Sequence, residues 1–397
     1  MRKISAHLIL DGMGKSYHKG ILTLDETGTI LAIEDTDGKL QESANIEFYS
    51  GILVPGFVNA HCHLELSHLQ STFNEGIGLV SFLKHVVDER AAAPERVINA
   101  AERADLTMYK NGIVAVGDIA NGETAFRAKT LSKITYFTFV EALGFAPERA
   151  ERAFGWAQHC NSAATDLNLP SSIVPHAPYS VSVPLITAIA AEAASSGLPI
   201  SVHSQESLEE DEMYQSGSGG MMTHLRENLS IDTSFFFPTG KSALRSMLKF
   251  LPSQNNLLLV HNLNTLQADI DYIESIRELS RTWFVLCPGS NMFIQNRLPD
   301  IELLRRNHLQ LCLGTDSLAS NHRLSILEEM KIIQAACPEI SLSELITWAS
   351  YNGAKALQMD HWAGSIEVGK RPGINLLTGL DLAEGKLQPR TTVKKLA

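Results

Sequence analysis

Nothing in this chain of 397 residues approaches the ~20 consecutive apolar residues that a bilayer-spanning helix requires, so no membrane partner is expected. It also lacks any long run of Lys or Arg, and its formal net charge is -11. Phosphate neutralisation needs clustered cations, so no nucleic-acid partner is expected either. Cysteine is scarce: Cys62, Cys160, Cys287, Cys312 and Cys337 are odd in number and widely spaced, with no CxxC pair. That excludes a thiolate zinc site or a dithiol redox motif and fits a reduced, cytoplasmic setting. The first eleven residues carry basic groups but only an interrupted apolar stretch and no small-residue cleavage site, so no export signal is read there. What remains is the composition of a soluble globular protein, 44% hydrophobic and 19% charged, with length enough for one large domain and a small one.

Residues 1 to 53 read as short strands separated by turns: Ile4 to Leu10, Gly20 to Leu24, Thr29 to Ile33 and Ile46 to Tyr49. From Leu53 onward the pattern changes. Apolar strands are expected near 53-60, 113-118, 135-141, 172-176, 199-203, 257-261, 283-287 and 311-315, with helices such as Val80 to Arg90, Val97 to Lys110, Val183 to Ser195 and Leu324 to Ala336 between them. Eight strands, each followed by a helix, predict a (β/α)8 TIM-like barrel over 54-362. The two longest intervals, after the first and fifth strands, leave room for loops over one face. Residues 363-397 are turn-rich and then strand-like, and their expected partner is the 1-53 strand set. The two chain ends would then form a small β-sandwich beside the barrel.

The stretch Leu53-Val54-Pro55-Gly56-Phe57-Val58-Asn59-Ala60-His61-Cys62-His63 ends an apolar run in alternating histidines. A strand points residues i and i+2 to one face, so both imidazoles can reach one metal ion. By itself the pair is as well explained by hydrogen bonding or solvation. However, Ile200-Ser201-Val202-His203, Leu258-Leu259-Val260-His261 and Leu311-Cys312-Leu313-Gly314-Thr315-Asp316 each end another strand-like run in a residue able to ligate zinc. In such a barrel all strand carboxyl ends meet on one face, which brings His61, His63, His203, His261 and Asp316 together. Nitrogen and oxygen donors without cysteine describe a catalytic site, with a position left for water.

These segments, with His203-Ser204-Gln205-Glu206, Gly314-Thr315-Asp316-Ser317 and Gly364-Ser365-Ile366-Glu367-Val368-Gly369-Lys370, resemble the amidohydrolase superfamily, and within it the nucleobase-deaminase-like branch. The resemblance covers nearly the whole chain. It implies one divalent metal per chain, zinc first and iron as the alternative, held by His61, His63, His203 and Asp316. His261 would lie beside the attacking water, and direct ligation by it stays open. Dinuclear members bridge their metals with a Lys at the end of the fourth strand; here the stretch reads Ile173-Val174-Pro175-His176, which supports a mononuclear site. The implied catalytic groups are Glu206, His261 and Asp316. Asp316 takes a proton from water, Glu206 protonates a ring nitrogen, and His261 stabilises the developing oxyanion. The competing reading of Glu206 is a solvated side chain opening an acidic helix.

His63-Leu64-Glu65-Leu66-Ser67-His68-Leu69 and the tail Arg371-Pro372-Gly373-Ile374-Asn375-Leu376 look most like aminodeoxyfutalosine deaminases of the alternative menaquinone pathway. That implies a small aminopurine nucleoside as partner. The candidate substrate contacts are Glu65, His176, Ser317 and Asn321, with Arg226, Arg297 or Arg323 gripping a substrate carboxylate. Ser317 and Asn321 serve equally well as helix caps. Methylthioadenosine, adenosylhomocysteine or adenosine deaminases, and zinc chlorohydrolases, are the alternatives among enzymes, and a non-enzymatic metal-binding module is the alternative outside them. A homo-oligomer is compatible with all of these.

Overall fold

The computed structural model describes residues 1–41 and 45–397. In chain order its strands are β1 (Arg2–Leu10), β2 (Ser16–His18), β3 (Ile21–Leu24), β4 (Ile30–Glu34), β5 (Ile46–Pro55), β6 (Phe57–Cys62), β7 (Ile113–Ala120), β8 (Thr135–Ala142), β9 (Ser171–Pro175), β10 (Ile200–Ser204), β11 (Leu257–His261), β12 (Thr282–Leu286), β13 (Gln310–Leu313), β14 (Ile374–Thr378) and β15 (Thr392–Lys395). Two four-stranded parallel sheets, β6-β7-β8-β9 and β10-β11-β12-β13, carry the α/β part. Their strands are buried on both faces, which is why they read as continuous apolar runs without alternation. At one junction of the sheets the His203 amide donates to the His176 carbonyl at 2.9 Å. At the other, the amides of Thr315 and Asp316 donate to the His61 carbonyl at 3.0 and 3.1 Å.

The terminal strands, expected as a small sandwich, form one seven-stranded sheet among the described residues, in the order β15-β14-β5-β1-β3-β4 with β2 paired to β1. Both chain ends contribute strands to it. The apolar run expected as a single strand near 53-60 is two strands: β5 ends in the terminal sheet at Pro55, and β6 begins the parallel one at Phe57. Gly56 makes that break. Its amide donates to the carbonyls of Pro372 and Gly373, and a Cβ there would lie 2.4 Å from a Val114 methyl and 2.5 Å from the Pro372 carbonyl oxygen.

Helices fill the intervals for local reasons. The segment Pro94–Lys110 starts with proline in its first turn, where the missing N–H costs nothing, and Val183–Ser196 stops at Gly197, whose φ of 68° suits a residue without a side chain. The helical stretch from Leu342–Thr347 to Gly353–Ala356 is interrupted by a wide π turn at Trp348–Asn352. Among the described residues, no helix is long and apolar enough to cross a membrane.

Candidate metal centre and adjoining pocket

His61 lies near the end of β6 and His63 directly follows it, His203 and His261 sit at the ends of β10 and β11, and Asp316 follows β13. The Nε2 atom of His63 lies 3.2 Å from Nε2 of both His61 and His203. Oδ1 of Asp316 lies 3.4 Å from His63 Nε2 and 3.7 Å from His61 Nε2. The His261 ring packs beside these, 5.6 Å from His203 and 5.9 Å from His61 between centroids. Imidazole nitrogens do not converge in this way to satisfy one another, since each can offer at most one proton. Bonds of ~2.0–2.1 Å to a tetrahedral centre would place donors roughly 3.3–3.4 Å apart, so the donor set fits a divalent ion. His61, His63 and Asp316, and separately His61, His203 and His261, have their donor atoms within 4.8 Å of one another.

The outer faces of these side chains are tied down. Nδ1 of His203 is 2.9 Å from the His176 carbonyl, leaving Nε2 able to ligate a metal. Oδ2 of Asp316 accepts from Ser290 at 2.6 Å and Ser320 at 2.7 Å, which turns Oδ1 inward. Asn291 lies 3.2 Å from His261 Nδ1. Behind the pair on β6, the Asn59 amide bonds both the hydroxyl and the backbone amide of Thr315, locking β6 to the turn that carries Asp316. Burial, then the neighbouring histidines, pushes His203 down to about 4 and keeps it neutral, as a metal-ligating imidazole must be. Burial alone would raise the Asp316 carboxyl, yet the neighbouring imidazoles of His61, His63 and His261 hold it well below its usual range. Gln205, His261, Asn262 and Asp316, at the strand ends that form the centre, all have positive φ, a conformation costly for residues with side chains.

Glu206 is buried beside this cluster, with Oε1 3.7 Å from His261 Nε2. Burial, then the nearby charges of Asp316 and Glu210, raises its pKa well above its usual value, which favours the protonated form. Its position comes from Glu210, whose Oε1 accepts the amides of Glu206 and Ser207 at 2.7 and 3.1 Å. Glu206 therefore does not behave as the solvated opening of an acidic helix.

A pocket opens onto the cluster, and His63, His203, Glu206, His261, Asp316 and Ser317 line its floor. Leu79, Phe82 and Val86 from the helix Leu79–Glu89 form one apolar wall, and Leu225 and Ile231 from the insertion after β10 form another. His176 points in from beyond β9, with Nδ1 held by Ser180 at 2.7 Å. Of the other expected substrate contacts, Glu65 is buried just behind the wall. It accepts the Asn121 amide at 3.1 Å, and burial raises it to about 7. Asn321 is buried in a structural role, donating to the Thr315 carbonyl and to Glu329.

None of the three expected arginines lines this pocket. Arg226 bonds Thr233 at 2.6 Å, Arg297 is spent on the Leu263 carbonyl and the Asn264 side chain, and Arg323 is exposed. The guanidinium groups in the pocket wall are instead Arg90, which reaches Glu65 and Asn121, and Arg149, just beyond β8. Neither is among the expected contacts: Arg90 directly follows the helix Leu79–Glu89 in the long insertion after β6, and Arg149 precedes the helix Ala150–Asp166 after β8. The buried pair Lys129–Asp118, 2.6 Å apart, was likewise unforeseen; Asp118 accepts the amide of Leu64 and so fixes the chain just after His63.

The chain belongs to the amidohydrolase family, whose sequence pattern matches residues 52–396. It is 27% identical to an adenosine deaminase of Helicobacter pylori over 83% of this chain and 79% of that protein. It is 26% identical to an aminodeoxyfutalosine deaminase of Nitratiruptor over 97% of this chain and 92% of that protein. The crystal structure of Helicobacter pylori aminofutalosine deaminase in complex with methylthio-coformycin superposes with a TM-score of 0.80 at 23% identity, covering 98% of this chain and 94% of that one.

Proposed function

We propose that this amidohydrolase is a hydrolytic deaminase of 6-aminopurine nucleosides, and that within that class it converts 6-amino-6-deoxyfutalosine to futalosine and ammonia. One observation carries the reading: a buried carboxyl, Glu206, with its pKa raised, faces the same pocket as a convergent set of histidines and Asp316, whose pKa is lowered. The closed (β/α)8 barrel belongs to this reading, supported by the hydrogen bonds at both junctions of the parallel sheets. So does cytoplasmic action on a small molecule.

His61, His63, His203 and Asp316 would hold one divalent ion, zinc in the first instance. When bound, that ion acts as a Lewis acid and makes water a competent nucleophile near neutral pH. The remaining work falls to side chains. Asp316 Oδ1 accepts a proton from the attacking water, while Ser290 and Ser320 hold its other oxygen. Glu206 donates its proton to the ring nitrogen next to the amino-bearing carbon, so that the ring accepts the oxygen without building a full negative charge. His261 lies where it can stabilise the new oxygen; the amino group then takes the proton that Asp316 accepted, the carbon–nitrogen bond breaks to release ammonia, and the hydroxyl proton returns to Glu206 as the carbonyl forms. The leucine and phenylalanine walls exclude water from the ring, and Arg90 and Arg149 offer guanidinium groups to an anionic far end of the substrate.

The apolar walls also favour a second reading, a methylthioadenosine or adenosine deaminase, whose substrates carry no carboxylate. The test is kcat/KM for aminodeoxyfutalosine against methylthioadenosine and adenosine, in the parent and in Arg149→Met. The first reading expects a clear preference for the charged substrate that Arg149→Met erodes. Equal or better use of methylthioadenosine moves the protein to the second reading, and absence of ammonia release from all three removes both.

A further inference from the structure

Glu141 closes β8 and is buried at 4% exposure, yet the active-site chemistry above gives it no task. Its two oxygens are in different situations. Oε2 accepts from the Asn121 side chain at 2.8 Å, and Asn121 in turn accepts from Arg90 at 3.1 Å. Oε1 is buried with no hydrogen-bond partner, and lies 3.5 Å from Nδ1 of His203. An orphan carboxylate oxygen in a protein interior is costly, so its persistence asks for a compensating role.

The other side of the contact supplies one. With Nε2 of His203 turned toward His63, its proton resides on Nδ1, where the His176 carbonyl takes it at 2.9 Å. Glu141 Oε1 stands as a second acceptor beside that same proton. We propose that Glu141 is a positioning residue for the metal: it shares the Nδ1 proton of His203 with the His176 carbonyl, fixes the ring's tautomer, and increases the donor strength of Nε2. Through Asn121 it also ties this ligand to Arg90, so the metal centre and the pocket wall are joined by one polar chain. Carboxylates behind ligating histidines act in this way elsewhere, and their removal typically costs ~10- to 100-fold in metal affinity.

The inference rests on the metal reading above, and the experiment separates the two. Zinc affinity is measured on metal-free protein by competition with a chromophoric chelator, alongside the melting temperature of the metal-free form. Glu141→Gln keeps the size and the Asn121 neighbour but removes the charge; zinc binding should weaken ~10- to 100-fold while the metal-free melting temperature does not fall. Zinc affinity within about threefold of the parent overturns the proposal, as does a loss confined to metal-free stability, which marks a merely structural residue. Should Glu141→Gln fail to fold, Asn121→Ala, which frees Oε2, should weaken zinc severalfold, and an unchanged affinity there overturns the proposal equally. A parent protein that takes up no zinc overturns the metal reading itself, and the inference with it.

Discussion

Replacing Glu206 by Gln separates binding of the metal from the chemistry. The amide has nearly the same shape, and the amides that fix the main chain here are held by Glu210, so the pocket should be unaltered. Glu206 is not among the clustered donor atoms, so the variant should bind one zinc per chain like the parent. What it loses is an exchangeable proton. Positioned general acids contribute ~100- to 10,000-fold, equivalent to about 3 to 5 kcal/mol of barrier at 1.36 kcal/mol per decade. As a proton donor Glu206 acts in its protonated form, which burial and the charges of Asp316 and Glu210 favour by raising its pKa. Parent activity should then fall on the alkaline side as that proton is lost, and the same limb should be missing from the residual activity of the variant. The assay is single-turnover ammonia release across pH, with zinc content by elemental analysis. Turnover within about threefold of the parent, or loss of zinc, would refute the assignment.

His63→Ala should lose zinc and activity together, because its Nε2 is the atom nearest to both His61 and His203; retained metal with full turnover would remove it from the centre. Glu210 is fully buried, and burial raises its pKa from 4.5 to about 8. A raised folded-state pKa means stability that is fully present below the unfolded value and lost as pH rises through the folded one, with an upper limit of about 5 kcal/mol. Glu210→Gln, which can still accept the Glu206 and Ser207 amides, should therefore raise the melting temperature at pH 8 more than at pH 5; equal shifts at both would contradict the assignment. Lys129→Met strands the Asp118 carboxylate in the interior and should cost ~3–5 kcal/mol in denaturant unfolding, largely recovered by adding Asp118→Asn; a cost that the second substitution does not relieve would place the role of Lys129 elsewhere.

The clustered histidines and Asp316 were legible because two simple periodicities meet in them: side chains alternate along a strand, and parallel strands bring their carboxyl ends to one face. Glu206 was legible from its spacing to His203. Their supports were not. Asn59 with Thr315, Asp118 with Lys129, and Glu141 with Asn121 are pairs chosen by three-dimensional proximity, and no local pattern marks one partner for the other. The arginines show the converse limit. Arg226 and Arg297 stand in plausible loops, but each is taken up by a neighbouring acceptor that sequence does not reveal. The division of one apolar run into β5 and β6 was hidden for a similar reason, since hydrophobicity is continuous across Gly56 and only the approach of Val114 and Pro372 shows why the chain must turn.

The joining of both chain ends in one sheet has a consequence for biosynthesis. One edge of β5 pairs with β1 early in the chain, but the other waits for β14, which is translated only after the whole α/β part. At ~5–20 residues per second, that edge stays unpaired for tens of seconds on the ribosome. An exposed strand edge is a template for other nascent chains. Recovery of soluble protein should therefore depend on chaperone supply during synthesis more than on the stability of the finished fold.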